Sequence, residues 1–396
     1  MRPREFAPGV YAIGYQDWDR RLFDALIPLP DGTSYNSYIV KGSEKAVLIE
    51  TVDHSPEASA AFLNNLTLLG IQKLDYVIAN HAEPDHSGTL AQVLARFPEA
   101  KVLCTERCRG MLIDLHAIDA GRFQPVADGA VVSLGDRTLV FIHAAWVHWP
   151  ETMFTYLREE ALLFSCDFLG AHLATTDLFA TDEARVYEAA RRYYAEIMMP
   201  FRTSIQNHLR KLQQYQIKMI APSHGPVYGR PQFILDAYNH WVNDEPSNTV
   251  VLPYVSMHGA THKMVEYLVA ALAQRGVTVK RFDLTTVDTG RLASALVDAG
   301  TVVIGTPTVL AGPHPLAAYA ALLANALRPK ARFASIIGSY GWGGKCVEIL
   351  AGLLPNLKVE MLPTVLAKGT PREADYQALE RLAETIAQKH KEAGFK

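Results

Sequence analysis

Apolar and polar positions alternate in short runs over the first half of the chain. Val10-Tyr11-Ala12-Ile13-Gly14, residues 35–40 and residues 46–50 read as strands, punctuated by the turn pairs Asp31-Gly32 and Lys41-Gly42. A helical period takes over from about residue 56 to 69 and stops at Gly70, the residue type that favours a helix C-terminus. A strand at 76–79 then leads into a polar loop. Further strands are predicted at 131–134, 138–143 and 162–165, with one long helix from 182 to 215. The segment Trp241-Val242-Asn243-Asp244-Glu245-Pro246-Ser247-Asn248 is polar and interrupted by proline, so it reads as a linker. Beyond it the pattern becomes regular. Strands at 250–255, 277–282, 302–305, 331–338 and 359–363 alternate with helices at 262–273, 290–299, 315–326, 344–353 and 371–391. Short apolar strands alternating with amphipathic helices describe a doubly wound, five-stranded parallel sheet. The chain therefore divides into a strand-rich α/β or α+β domain, 1–248, and a doubly wound α/β domain, 249–396.

Composition narrows the function. Of 396 residues, 49% are hydrophobic and 20% charged, which suits packed domains and excludes a largely disordered chain. The net charge of −3 gives no basic excess for nucleic acid or anionic lipid. The four cysteines are too few for a disulfide framework, and none forms a C-x-x-C pair of the rubredoxin or zinc-ribbon kind. With neither a signal-peptide pattern at the start nor an apolar run long enough to span a membrane, a cytoplasmic protein is expected.

The loop after the strand at 76–79 reads Asn80-His81-Ala82-Glu83-Pro84-Asp85-His86-Ser87-Gly88. Four metal-ligand side chains fall within six residues. In extended backbone, His81, Glu83 and Asp85 project to one side and converge; His86 reaches a second ion if the chain turns at Ser87-Gly88. A solvated polar loop is the competing reading, but it does not explain such density between a buried strand and a helix. Four groups cannot fill two coordination spheres, so further ligands are expected at strand ends downstream: His148, Asp167 and His224. His143 lies inside a predicted strand and reads as a hydrogen-bonded core histidine. His172 is close enough to Asp167 to support the ligands without touching the metal. This pattern resembles the metallo-β-lactamase superfamily, whose zinc members carry H-x-H-x-D-H here; Glu83 stands where they have histidine. Four imidazoles and three carboxylates without a thiolate suit iron or manganese better than zinc. With two ferrous ions the site would carry a charge of about +1, and a bridging hydroxide gained on oxidation keeps the change small.

Three loops of the second domain fall at carboxyl ends of strands, where ligands of such sheets bind. The first is Ser256-Met257-His258-Gly259-Ala260-Thr261, a hydroxyl-bearing turn into a helix that offers amides and a dipole to a phosphate. The second contains Pro307-Thr308-Val309-Leu310. The third, Ser339-Tyr340-Gly341-Trp342-Gly343-Gly344, places aromatics among glycines, apt for contact with a flat ring. It lacks the spacing of a nucleotide P-loop. Three such loops on one edge of a parallel sheet resemble flavodoxin, which binds FMN there; the competing reading is the same fold without flavin.

The combination resembles the flavodiiron proteins (A-type flavoproteins), nearly end to end, including His148-Trp149-Pro150-Glu151-Thr152-Met153-Phe154-Thr155-Tyr156 and Ser339-Tyr340-Gly341-Trp342-Gly343-Gly344. The resemblance implies a metallo-β-lactamase-like αββα sandwich followed by a flavodoxin-like domain. It also implies an oxidoreductase in which FMN feeds a non-haem diiron centre that reduces O2 to water, NO to N2O, or both. Carried over, His81, Glu83 and His148 would bind one iron, Asp85, His86 and His224 the other, and Asp167 would bridge. His262 departs from the acidic residue such relatives often carry beside the phosphate loop. A rubredoxin or a reduced deazaflavin coenzyme is the implied donor. A head-to-tail homodimer, or a pair of such dimers, is the implied assembly, because the short linker gives no evident way to fold one edge onto the other. Two alternatives stand beside this reading: a two-zinc hydrolase with an appended flavodoxin-like module, and an electron carrier with a vestigial metal site. The choice between O2 and NO is not encoded in the spacing.

Overall fold

The computed structural model describes residues 2–396. They form two compact units, the first running to Tyr194 and including Phe201–Val242, the second comprising Ala195–Pro200 and Asn243–Lys396.

In the first unit, a seven-stranded sheet has the order Arg4–Ala7, Val10–Ala12, Tyr38–Lys41, Ala46–Ile49, Tyr76–Ile78, Lys101–Cys104, Phe123–Pro125. Neighbours are antiparallel as far as Ala46–Ile49 and parallel beyond it. A five-stranded sheet orders Val131–Ser133, Thr138–His143, Met153–Leu157, Leu162–Cys166 and Met219–Pro222. Val40, Val47, Ile49 and Leu103 of the first sheet share one buried core with Phe141, Met153, Leu162 and Phe164 of the second. All ten residues of Met153–Leu157 and Leu162–Cys166 are buried, so this sheet is covered on both faces, as in an αββα sandwich.

Several expectations are corrected here. The segment 182–215 is not one helix. Glu183–Tyr193 and Arg202–Leu212 are α-helical, separated by a π turn, Tyr194–Met198, and a 3-10 turn, Met199–Phe201. Pro200 supplies no amide and crowds the preceding turn, which breaks the period. The strands Arg4–Ala7, Lys101–Cys104, Phe123–Pro125 and Met153–Leu157, unassigned from sequence, belong to the two sheets.

The second unit holds a parallel sheet in the order Thr278–Asp283, Thr249–Tyr254, Thr301–Val309, Phe333–Tyr340, and a fifth position. That is the 2-1-3-4-5 order of a flavodoxin-like sheet. The fifth strand comes in two pieces, Glu360–Met361 and Val365–Lys368, each parallel to Phe333–Tyr340. Pro363 between them has no amide to donate, so the ladder is interrupted rather than continuous over 359–363. Helices Ala260–Gln274 and Glu373–Glu392 pack together over one core, and Thr289–Leu296 packs on Pro315–Leu327. Thr301–Val309 runs four residues past its expected end and turns back through Leu310 and Ala311, both left-handed, into Gly312–Pro313. No helix among the described residues is long and apolar enough to cross a membrane.

Candidate metal centre and cofactor loops

Backbone geometry sorts the clustered ligands of the first unit into two groups. The loop is extended only as far as Glu83; Pro84–Ser87 then makes a helical turn with Pro84 at its first position, where a missing amide costs nothing. The turn therefore begins before Asp85, not at Ser87-Gly88. His81 and Glu83 face one way, while Asp85 and His86 are rotated to another.

Asp167 stands between the groups. Its Oδ2 is 3.1 Å from His148 Nε2 and 3.5 Å from His81 Nε2, and Glu83 Oε2 lies 3.2 Å from the His148 nitrogen and 3.1 Å from the His81 nitrogen. Its Oδ1 is 3.0 Å from His86 Nε2 and 3.2 Å from His224 Nε2. Asp85 completes this second group, with Oδ1 3.4 Å from His86 and Oδ2 3.2 Å from His224. The structure thus brings together all seven residues picked from sequence. Asp167 reaches this position on strained backbone: Cys166 and Leu169, on either side of it, have φ of 53° and 67°. Trp146, two residues before His148, has φ of 68°.

His224 is placed by the glycine that follows it. Gly225 has φ of 83°, and a Cβ there would lie 2.9 Å from Ala171 O, so only glycine lets the chain turn. The turn points His224 Nδ1 at Ser34 O, 2.6 Å away. Two supporting carboxylates escaped the sequence reading. Glu151 Oε1 is 2.7 Å from His81 Nδ1, and Glu50 Oε2 is 3.6 Å from His86 Nδ1. Glu50 is itself left-handed, at φ 60°. Both are remote in sequence from the histidines they face; the only signal available was Glu151's place in the His148 motif. Cys166 also lies within ligand range of Glu50 and His86, but burial raises its thiol pKa well above the ordinary value, which keeps it protonated and a poor ligand.

The electrostatics are those of a cation site. Burial disfavours charged imidazole at His148, but Asp167 and Glu83 outweigh it and raise the ring to about 9. Burial is likewise overcome at His224, where Asp167 and Asp85 raise it to about 10. Burial opposes ionisation of Asp167 too, yet the surrounding imidazoles hold it well below the carboxylate range. Buried carboxylates among these rings favour positive charge at the donors, the role a divalent ion would fill. Among the described residues, both Asp85 oxygens, Asp167 Oδ1 and His86 Nε2 are buried without a hydrogen-bond partner. Metal ligation would satisfy all four, so the donors fit the implied iron pair. His148 and Glu83, with side chains 15% and 12% exposed, are the most accessible of the seven.

His172 lies beside His224, ring centroids 5.0 Å apart, with Nδ1 on the Thr33 hydroxyl at 2.8 Å. Burial pushes its pKa well below the ordinary value, so it is a neutral imidazole. His143 bonds Val126 O through Nε2 at 3.0 Å, the hydrogen-bonded role expected of it, but at the half-buried end of its strand rather than in the core.

In the second unit, Ser256–Thr261, Pro307–Leu310 and Ser339–Gly344 lie at the carboxyl ends of three adjacent parallel strands, the second and third beginning within the last residues of Thr301–Val309 and Phe333–Tyr340. The Thr261 and Ser339 hydroxyls are 3.0 Å apart and tie the first loop to the third. Gly259 (φ 84°) leads into the 15-residue helix Ala260–Gln274, whose first-turn amides have no helical acceptors. Gly341 and Gly343 face open space, with no atom within 4 Å of a would-be Cβ. Beside them Trp342 is 76% and Leu310 91% exposed, so apolar surface is presented here without a partner. An anion cradle next to exposed apolar and aromatic groups fits the phosphate and flat ring of FMN. His262 pairs with Glu266 at 3.1 Å and with Tyr254 Oη at 3.3 Å.

A family described as "ODP family beta lactamase" matches residues 33–225. A nitric oxide reductase of Moorella thermoacetica is 34% identical over 98% of both chains. A coenzyme F420H2 oxidase of Methanothermobacter marburgensis is 31% identical over 97% of this chain and 98% of its own. Among solved structures, the rubredoxin oxygen:oxidoreductase of Desulfovibrio gigas superposes with a TM-score of 0.94, at 29% identity and 99% coverage of each chain. A flavodiiron protein of Giardia intestinalis gives 0.92 at 27% identity, covering 99% of this chain and 98% of that one.

Proposed function

Because the chain belongs to the flavodiiron protein family, we infer that it is an oxidoreductase passing electrons from FMN to a non-haem diiron centre that reduces O2, NO or both. One observation carries the assignment of its residues: the two oxygens of Asp167 each face a separate set of donors. On that geometry His81, Glu83 and His148 would hold one iron and Asp85, His86 and His224 the other, with Asp167 offering one oxygen to each set. In place, the iron pair supplies electrons and Lewis acidity to bound substrate, with FMN as its source.

The chain's own residues do the rest. Phe23, within 6.4 Å of the His224 ring, and Trp149, 4.9 Å from the His81 ring, exclude bulk water from the donors. Arg20 bonds the Tyr35 hydroxyl at 2.5 Å and lies 3.5 Å from Asp53, bracing the residues around Phe23. In 249–396, the amides and hydroxyls of Ser256–Thr261 would hold the FMN phosphate, while Pro307–Leu310 and Ser339–Gly344 would hold its ring. The donor is a separate protein or coenzyme, a rubredoxin or a reduced deazaflavin, in keeping with what two relatives are named for. The working unit is a head-to-tail homodimer in the cytoplasm, with the apolar rim of the FMN loops on one copy meeting the metal unit of the other.

The test is direct. Purified protein should carry about two irons and one FMN per chain and consume O2 or NO when a reduced donor is supplied. Full occupancy by zinc with hydrolytic activity would instead favour the two-zinc hydrolase. Steady-state rates on O2 and NO side by side fix the preference.

A further inference from the structure

Three of the imidazoles that aim Nε2 at the metal positions face a partner at Nδ1, and the partners are unequal. His81 has the Glu151 carboxylate at 2.7 Å, both side chains fully buried. His224 has only the neutral carbonyl of Ser34, at 2.6 Å. His86 faces Glu50 at 3.6 Å, beyond hydrogen-bond reach. Glu151 is itself immobilised: Oε1 also accepts from Ala82 N at 3.0 Å, and its carbonyl takes the Thr105 hydroxyl at 2.9 Å. Its other oxygen, Oε2, is buried with no partner, so His81 and the Ala82 amide are the carboxylate's two donors.

The two metal positions have the same donor count, two imidazoles and one carboxylate each besides Asp167. They differ in what stands behind the imidazoles. A carboxylate accepting from Nδ1–H makes the ring a stronger electron donor through Nε2, and a charge-assisted bond fixes its orientation more firmly than a carbonyl does. We propose that Glu151 is a positioning residue that makes the two irons inequivalent. The ion on the His81, Glu83 and His148 side is the more tightly held and the first to be oxidised. This rests on the diiron reading above.

Glu151→Gln keeps an acceptor for His81 and Ala82 but removes the charge; Glu151→Met removes both. The full-length, iron-loaded protein is exposed to a ferrous chelator and, separately, titrated through its oxidised and reduced states. In the unsubstituted protein the two irons should leave in two phases and titrate in two separated steps. Glu151→Gln should retain two irons, release the slow one about 10–100-fold faster, and bring the two steps together. Glu151→Met should hold about one iron per chain. A brace that only fills space would leave the steps of Glu151→Gln where they were. Unchanged release and unchanged steps in that variant overturn the proposal, as does a single phase in the unsubstituted protein. If Glu151→Met does not fold, Glu151→Gln still decides. Failure of the unsubstituted protein to take up iron would sink the diiron reading itself, a result seen before any substitution is made.

Discussion

Asp167 is the residue on which both donor sets depend, because each of its oxygens serves one set. Asp167→Ala should empty the centre: iron content should fall from about two per chain towards zero and turnover should drop by at least about 100-fold, measured by metal analysis and O2 or NO consumption. Thr261 has the matching place in the flavin unit. Its hydroxyl is buried and touches Ser339, so Thr261→Ala should weaken FMN binding by about 1–3 kcal/mol, roughly 5- to 150-fold in Kd by fluorescence titration. These residues were legible because their chemistry is dense in sequence. His81, Glu83, Asp85 and His86 share one loop, and His148, Asp167 and His224 each end an apolar run. Glu151 and Glu50 were not legible. A single carboxylate seventy or thirty-odd positions from its histidine looks like any surface acid until the sheets bring the two together.

At the scale of elements, the second unit was read almost whole, since each strand and helix there carries its own period and its own punctuation. The first unit was read less completely. Its covered five-stranded sheet makes Met153–Leu157 apolar on both faces, which erases the alternation that marks a strand. Pro200 was visible inside the helical segment, but its neighbours kept the period on either side and hid the break. The last helix, Glu373–Glu392, carries an element-level prediction through His390. That ring is buried, donates from Nδ1 to Asn248 Oδ1 at 2.8 Å and accepts from the Thr301 hydroxyl at Nε2, 2.6 Å. Burial lowers its pKa to about 4. Because the folded value lies below the unfolded one, its contribution is whole above about pH 6.5 and is lost as pH falls towards 4, when the unfolded chain takes up the proton first. The loss should reach about 1–3 kcal/mol, discounted for the ring's remaining solvent contact. Denaturant unfolding of the full chain at about pH 7.5 and pH 4.5 should show it, and His390→Phe should remove that share of the pH dependence.

For the whole molecule, each unit offers apolar surface that nothing within it covers. Leu310 and Trp342 stand out at the flavin loops; Trp18, Leu22 and Leu26 flank Phe23, which packs towards the metal donors. Joining the first kind of surface on one copy to the second kind on another, with two-fold closure, would cover both and set flavin beside metal. The arrangement makes a quantitative prediction. Asp167→Ala removes the metals and leaves the flavin, while Thr261→Asp puts a carboxylate against the flavin phosphate and leaves the metals. Each variant alone should be inactive. Random re-association of an equal mixture makes half of all dimers hybrids, and each hybrid contains one intact flavin–metal pair out of two. Activity should therefore recover to about one quarter of the unsubstituted level. If electrons instead pass within a single chain, no hybrid contains a working pair and the mixture stays inactive. Sedimentation at assay concentration supplies the companion measurement, and a fully active monomer would exclude the dimer altogether.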